Sequence, residues 1–156
     1  MKAASLKEIK TELNSLPPDQ LVELCVHLTK YKKENKELLT YLLFEADDES
    51  VYVQAVKDEI NVQFKEVNRS NSYLAKKTIR KILRIANKYT KFSGNRQTEI
   101  EVLIHFCLQL KKVGISMPIN STIGNIYLRQ FQKIHKLLAT LHEDLQADFA
   151  DELRLL

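Results

Sequence analysis

The sequence predicts an all-α protein, a multihelical bundle or irregular α-superhelix of about seven helices. Apolar residues recur at spacings of three and four along most of the chain. Only three Gly and three Pro occur in 156 residues, too few for the many tight turns of an all-β fold. Capping residues and helix breakers fall between the apolar stripes rather than inside them. A composition 44% hydrophobic and 28% charged is that of a globular chain. This length predicts a single domain over residues 1–156, able to bury its own core.

Ser5-Leu6-Lys7-Glu8 has the form of a capping box, and Leu6, Ile9, Leu13 and Leu16 follow as one stripe. Pro17-Pro18 ends that helix and opens the next, because proline is tolerated in a first turn. Leu21, Leu24, Cys25 and Leu28 mark the second helix, and Asn35 is the expected cap of a third carrying Leu38, Leu39, Leu42 and Leu43. The acidic run Asp47-Asp48-Glu49 suits a helix N-terminus, where the macrodipole favours negative charge. Val53, Val56, Ile60, Phe64 and Val67 then continue at helical spacing, which outweighs the strand character of Val51 to Val53.

Ser70 or Ser72 opens a fifth helix that ends near Phe92-Ser93-Gly94-Asn95. Thr98 and Glu101 read as a second capping box, ahead of Ile100, Leu103, Phe106, Cys107 and Leu110. Lys111-Lys112 and Gly114 close that helix. After a loop at Met117-Pro118-Ile119-Asn120, Ser121 or Thr122 caps a last helix, and no breaker follows Gly124. The sequence therefore predicts one long C-terminal helix over residues 123–153, about 46 Å. A compact domain of this size is only about 40 Å across. Such a helix bends, breaks, projects or meets a second copy, and its near-heptad Phe131, Ile134, Leu138, Leu141 and Leu145 permit a coiled-coil seam.

The charge distribution is uneven. Residues 67–98 hold nine Lys or Arg and no Asp or Glu, which leaves 15 cations against 20 anions elsewhere. The net +4 thus hides a basic element on an acidic body, a pattern that implies an acidic partner. On a helix over residues 72–92, Lys76, Lys77, Arg80, Lys81, Arg84, Lys88 and Lys91 share about 140° of surface. Ala75, Ile79, Ile82, Leu83, Ala86, Tyr89 and Thr90 face the other way. Seven like-charge pairs at i,i+3 and i,i+4 would together cost about 1.5–3.5 kcal/mol before screening. Three things could offset this. They are the chain's own acids (Glu143, Asp144, Asp148, Asp151, Glu152, Asp58, Glu59, Glu66), an acidic protein surface or second copy, and nucleic acid. Arg80 and Arg84 stand one turn apart, with forked donors that match phosphate, and Tyr73 lies among the cations where a base would stack. A helix-turn-helix drawn across residues 21–44 lacks a basic recognition helix.

The patterns of catalytic and metal chemistry are absent. Gly94, Gly114 and Gly124 are isolated, and neither Cys-x-x-Cys nor His-Glu-x-x-His occurs. No His stands three residues after a Glu, as di-iron bundles require. Glu101 and His105 read as a surface pair. His135, His142, Glu143 and Asp144 read as solvent-facing groups of the long helix, and His27 as half-buried. No catalytic residue, metal or cofactor is expected, and the chain reads as no enzyme. No apolar leader follows Met1, and the densest apolar run, residues 38–44, is too short to span a bilayer. Cys25 and Cys107 read as buried reduced thiols of a cytoplasmic protein, a disulfide between them being the alternative.

The opening residues 5–10, 16–24 and 31–39, helix–Pro–helix in pattern, resemble the start of an uncharacterised family of small all-helical bacterial proteins. That resemblance implies a helical fold and assigns no functional residue. The expected function is protein interaction: the cationic helix docks an acidic protein surface, with self-association through the C-terminal helix. Electrostatic nucleic-acid binding through the same seven cations is the alternative, and no membrane partner is expected.

Overall fold

A computed structural model describes residues 2–156. Helix makes up 77% of it, with nine α-helices and no strand among the described residues. The chain divides into two compact units, one ending at Phe44 and one spanning Glu45–Leu156.

In the first unit, α1 (Leu6–Ser15) starts with the expected capping box. The Glu8 backbone N–H donates to Ser5 Oγ at 3.3 Å, and the Ser5 N–H donates back to Glu8 Oε2 at 2.7 Å. The Ser5 N–H first, and then the Ser5 hydroxyl donating to the same Oε2 at 2.7 Å, hold the Glu8 carboxyl below its usual pKa. Leu16 and Pro17 are extended (ψ 145° and 153°), each being a residue before proline, and α2 (Pro18–Tyr31) begins with Pro18 at its first position. One residue, Lys32, separates α2 from α3 (Lys33–Thr40), and a π-helical turn (Tyr41–Glu45) follows. Lys32, not Asn35, occupies the cap position of α3. The Asn35 side chain instead reaches back to donate to the Leu28 carbonyl at 2.8 Å, which joins α2 to α3. No residue of α1, α2 or α3 is buried. Cys25 and His27 are both exposed, against expectation. The eight-residue α3 is too short to cover the fourteen-residue α2.

The second unit is built around one helix. Helix α4 (Glu49–Lys65) is capped by Asp48, which accepts from the Val51 N–H at 3.1 Å, and it buries Tyr52, Val53, Val56, Ile60 and Phe64. Helix α5 (Ser72–Ser93) lies beside it, and α6 (Arg96–Lys112) packs against α4, α5 and α7 (Thr122–Leu138). Surrounded in this way, α6 buries apolar side chains over about 200° of its circumference, Ile100, Val102, Leu103, Ile104, Phe106, Cys107 and Leu110. Each such side chain is worth about 1.5–3 kcal/mol of burial. Phe64 and Phe106 meet at 5.5 Å between ring centroids.

Two local expectations fail here, both because tertiary partners and side-chain caps compete with simple patterning. Thr98 and Glu101 do not form a capping box. Asn95 caps α6 by accepting from the Gln97 N–H at 2.8 Å, while Thr98 is buried and donates to Glu49 Oε1 at 2.5 Å. Ser93 Oγ donates to the same carboxylate oxygen, which therefore ties the start of α4 to the α5–α6 turn. Glu101 accepts from Lys57 Nζ at 2.6 Å.

The long C-terminal helix is the second. It breaks into α7, α8 (Glu143–Asp148) and α9 (Ala150–Leu153), so the predicted seven helices become nine among the described residues. Thr140 Oγ1 donates to the Leu137 carbonyl at 2.6 Å, and the Leu141 N–H donates to Leu138 at 2.9 Å, tightening the last turn of α7. His142 is extended and its Nδ1 accepts from the Asp144 N–H at 3.3 Å, a cap supplied by an imidazole. Gln146 Nε2 covers the Leu141 carbonyl at 2.8 Å. The interrupted stripe no longer forms a continuous coiled-coil seam.

Candidate functional site

Helix α5 is positioned by two asparagine side chains at its start and a glycine at its end. Asn68 Oδ1 accepts from the Ser70 and Asn71 N–H groups at 2.9 and 3.0 Å, making a turn that delivers Asn71 to the cap position. Asn71 Oδ1 then accepts from the Leu74 N–H at 3.1 Å. At the other end Gly94 takes the left-handed conformation (φ 66°), and its N–H closes on the Thr90 carbonyl. Between these ends the helix divides as its sequence predicts. Ala75, Ile79, Ile82, Ala86 and Thr90 are buried, and Leu83 and Tyr89 sit half-buried at the seam.

The opposite face is cationic and open. Lys77, Arg80, Lys81, Arg84 and Lys91 are exposed, and Lys76 and Lys88 are half-buried. Lys88 Nζ lies 4.6 Å from the centroid of the Tyr89 ring. Among the described residues, no salt bridge reaches Lys76, Lys77, Arg80, Lys81, Arg84 or Lys91.

Several of the chain's own acids have other partners. Glu99 pairs with Lys133 at 2.6 Å and Asp151 with Arg154 at 3.2 Å. Asp58 and Glu59 accept from Gln54 and Gln63 at 3.0 and 2.8 Å. Among the described residues, none of these acids forms a salt bridge with Lys76, Lys77, Arg80, Lys81, Arg84 or Lys91.

Tyr73, Lys76, Lys77, Arg80, Leu83, Arg84 and Asn87 line a groove of about 550 Å³ along this face. Tyr73 is 74% exposed and stands at the N-terminal end of the groove. Leu83, which the sequence assigns to the core, and Asn87, which the sequence left unassigned, complete the lining. The signal for both lay in their helical angles, at the margin between the two faces. The groove therefore offers four cationic groups beside an apolar strip, a surface suited to anions that carry apolar neighbours. A second basic cleft of about 440 Å³ gathers Lys65, Arg69 and Lys112 with Asn61, Phe64, Gln109 and Val113. Its cations come from α4, a loop and α6, and this scatter hides the cleft in the sequence.

The His-bearing clusters go to structural roles. His105 is half-buried with Nε2 2.8 Å from Asn61 Oδ1, and Glu101 is bound to Lys57, so the two are not each other's partners. Burial, then the Lys57 and Lys112 charges, push the His105 pKa below its ordinary 6.5. His135 stacks edge-on against Phe131 at 4.5 Å, while His142 caps α8. Among the described residues, no three His, Cys, Asp or Glu side chains are grouped to hold a metal ion. Both cysteines are free thiols. No helix among the described residues is long and apolar enough to cross a membrane.

The chain matches no protein-family model, and no curated protein or solved structure is significantly similar to it. The resemblance of its N-terminal third thus gains no matching model, and the candidate site rests on its own geometry.

Proposed function

We propose that this chain is a non-enzymatic interaction module whose α5 face docks an acidic protein surface. The observation that carries this reading is the open groove in which Lys76, Lys77, Arg80 and Arg84 flank Leu83 and the Tyr73 ring. An acidic amphipathic segment would place carboxylates on the four cations and an apolar side chain on the strip between them. Such contacts would also relieve the like-charge repulsion along the helix. A cytoplasmic setting agrees with two free thiols in one chain.

Nucleic acid is the second reading, favoured by one observation: Tyr73 is 74% exposed among cations, where a base can stack. Fluorescence anisotropy separates the two. The probes are a labelled Glu/Leu-rich helical peptide and labelled single- and double-stranded DNA, each titrated at about 50 mM salt, where screening is weak. Docking of acidic protein predicts peptide binding that the double variant Arg80→Glu/Arg84→Glu abolishes. It also predicts that Leu83→Ser weakens binding of the peptide. If DNA binds instead, with log K falling against log salt at a slope of about −4 to −6 for four to seven phosphates, the alternative takes over. Binding of neither probe rejects both.

A further inference from the structure

The exposed apolar surface of this chain is concentrated in the first unit. Among the described residues, eighteen large hydrophobic side chains are exposed and eleven of them lie at or before Phe44, so the unit has an apolar surface with little core beneath it. Among its described residues only Tyr41 is buried. Helix α1 displays Leu6, Ile9 and Leu13 at 85%, 43% and 38% exposure, on one stripe spaced i, i+3 and i+7. A ten-residue helix is marginal in water unless that stripe is covered. Helices α2 and α3 present the complementary shape: an apolar groove of about 240 Å³ lined by Cys25, Leu28, Leu38, Leu39 and Leu42, with Thr29 and Asn35 at its edge. One chain thus carries both a partly exposed helical ridge and an apolar groove, and no residue of α1 lines that groove.

We infer that two copies of the chain pair through this unit, α1 of each seated in the α2–α3 groove of the other. Three observations favour a second copy over other occupants. The link to α2 is the pair Leu16 and Pro17, both extended and both held from helical conformation by a following proline. A reversal built from αR turn residues is disfavoured there. Charge also permits it, since residues 2–44 hold seven cations and six anions, so two copies approach with little repulsion. Area suffices as well. Three ridge and five groove side chains at roughly 50 Å² each give about 400 Å² of apolar contact per copy. At about 65% apolar, the whole interface is about 1,200 Å², the lower edge of specific association. The exchange is reciprocal, so the contact closes as a two-fold dimer instead of growing into a fibre. This pairing is independent of the α5 reading, because it uses no residue of that helix.

The test is sedimentation equilibrium of the full chain from about 1 to 500 μM, since an interface of this size predicts an affinity on the order of micromolar. A monomer–dimer equilibrium is expected, with Ile9→Glu and Leu13→Glu shifting it at least tenfold toward monomer. Both positions are exposed, so thermal unfolding of the full chain, followed by circular dichroism, serves as the folding control. The second measurement uses Ile9→Cys with the native Cys25 under oxidised glutathione, where Cys107 is fully buried and silent. A disulfide joining position 9 of one copy to Cys25 of another, read by mass on a non-reducing gel and by peptide mapping, supports the exchange. A monomer throughout the concentration range overturns it. So does a disulfide closed within a single chain, which would mean that α1 folds back on its own groove.

Discussion

Cys25 and Cys107 show how far two identical side chains are separated by where the fold puts them. Cys107 is fully buried in α6, and desolvation pushes its thiol pKa up to about 12. Cys25 stands exposed at the edge of the α2–α3 groove. Native protein treated with iodoacetamide at pH 8 should therefore gain one adduct, at Cys25, and a second only on denaturation, as read by intact mass. His105 makes the complementary case for a base. Its folded pKa lies below the unfolded value of 6.5, so in that window the unfolded chain binds more protons. Stability should fall as pH drops through about 6.5 and level off below the folded pKa. Urea titrations across pH 5 to 8 should show this dependence flattened in His105→Gln, whose amide can still meet Asn61.

At the level of elements, glycine contributes by two different mechanisms. Gly94 ends α5 at φ 66° with open space where a Cβ would go. Gly94→Ala should cost about 1 kcal/mol from backbone conformation alone. Gly124 is opposite in kind. A Cβ there would lie 2.5 Å from the Pro118 carbonyl oxygen and 2.9 Å from Ser121 Oγ, the group that caps α7. Gly124→Ala should destabilise more than Gly94→Ala, and chemical denaturation of both variants checks the order. Elements whose signals are local were legible in the sequence, such as the Ser5–Glu8 box, the Pro17-Pro18 boundary and both faces of α5. Thr98-x-x-Glu101 misled because both side chains serve partners about 45 residues upstream, Glu49 and Lys57. The break after Leu138 was hidden because Thr140 and His142 stop the helix through side-chain hydrogen bonds, not through Gly or Pro. The cationic half of the candidate site could be read from charge spacing alone. That its groove includes Leu83, and that Glu99 pairs with Lys133, depended on how helices meet.

For the whole molecule, the basic face separates stability from binding. Arg80 faces Lys76, Lys77 and Arg84 at helical spacing without an ion pair to offset them. Arg80→Glu turns three repulsions into attractions, and the folded chain should gain about 1 kcal/mol, less in high salt. Loss of binding accompanied by a higher melting temperature would be the mark of a surface kept for a partner, at some expense in stability. The face has another consequence. Its lysines and arginines are all trypsin sites, yet a protease cuts extended chain, and α5 cannot extend while Ala75, Ile79, Ile82 and Ala86 remain in the core. Lys7 and Lys10 in α1, a helix with no buried residue, need only a local opening. Limited digestion should clip α1 early and leave α5 whole, after which loss of the large fragment follows the population of globally opened protein. The most densely cleavable helix in the chain thereby becomes a clock for unfolding, readable on a gel.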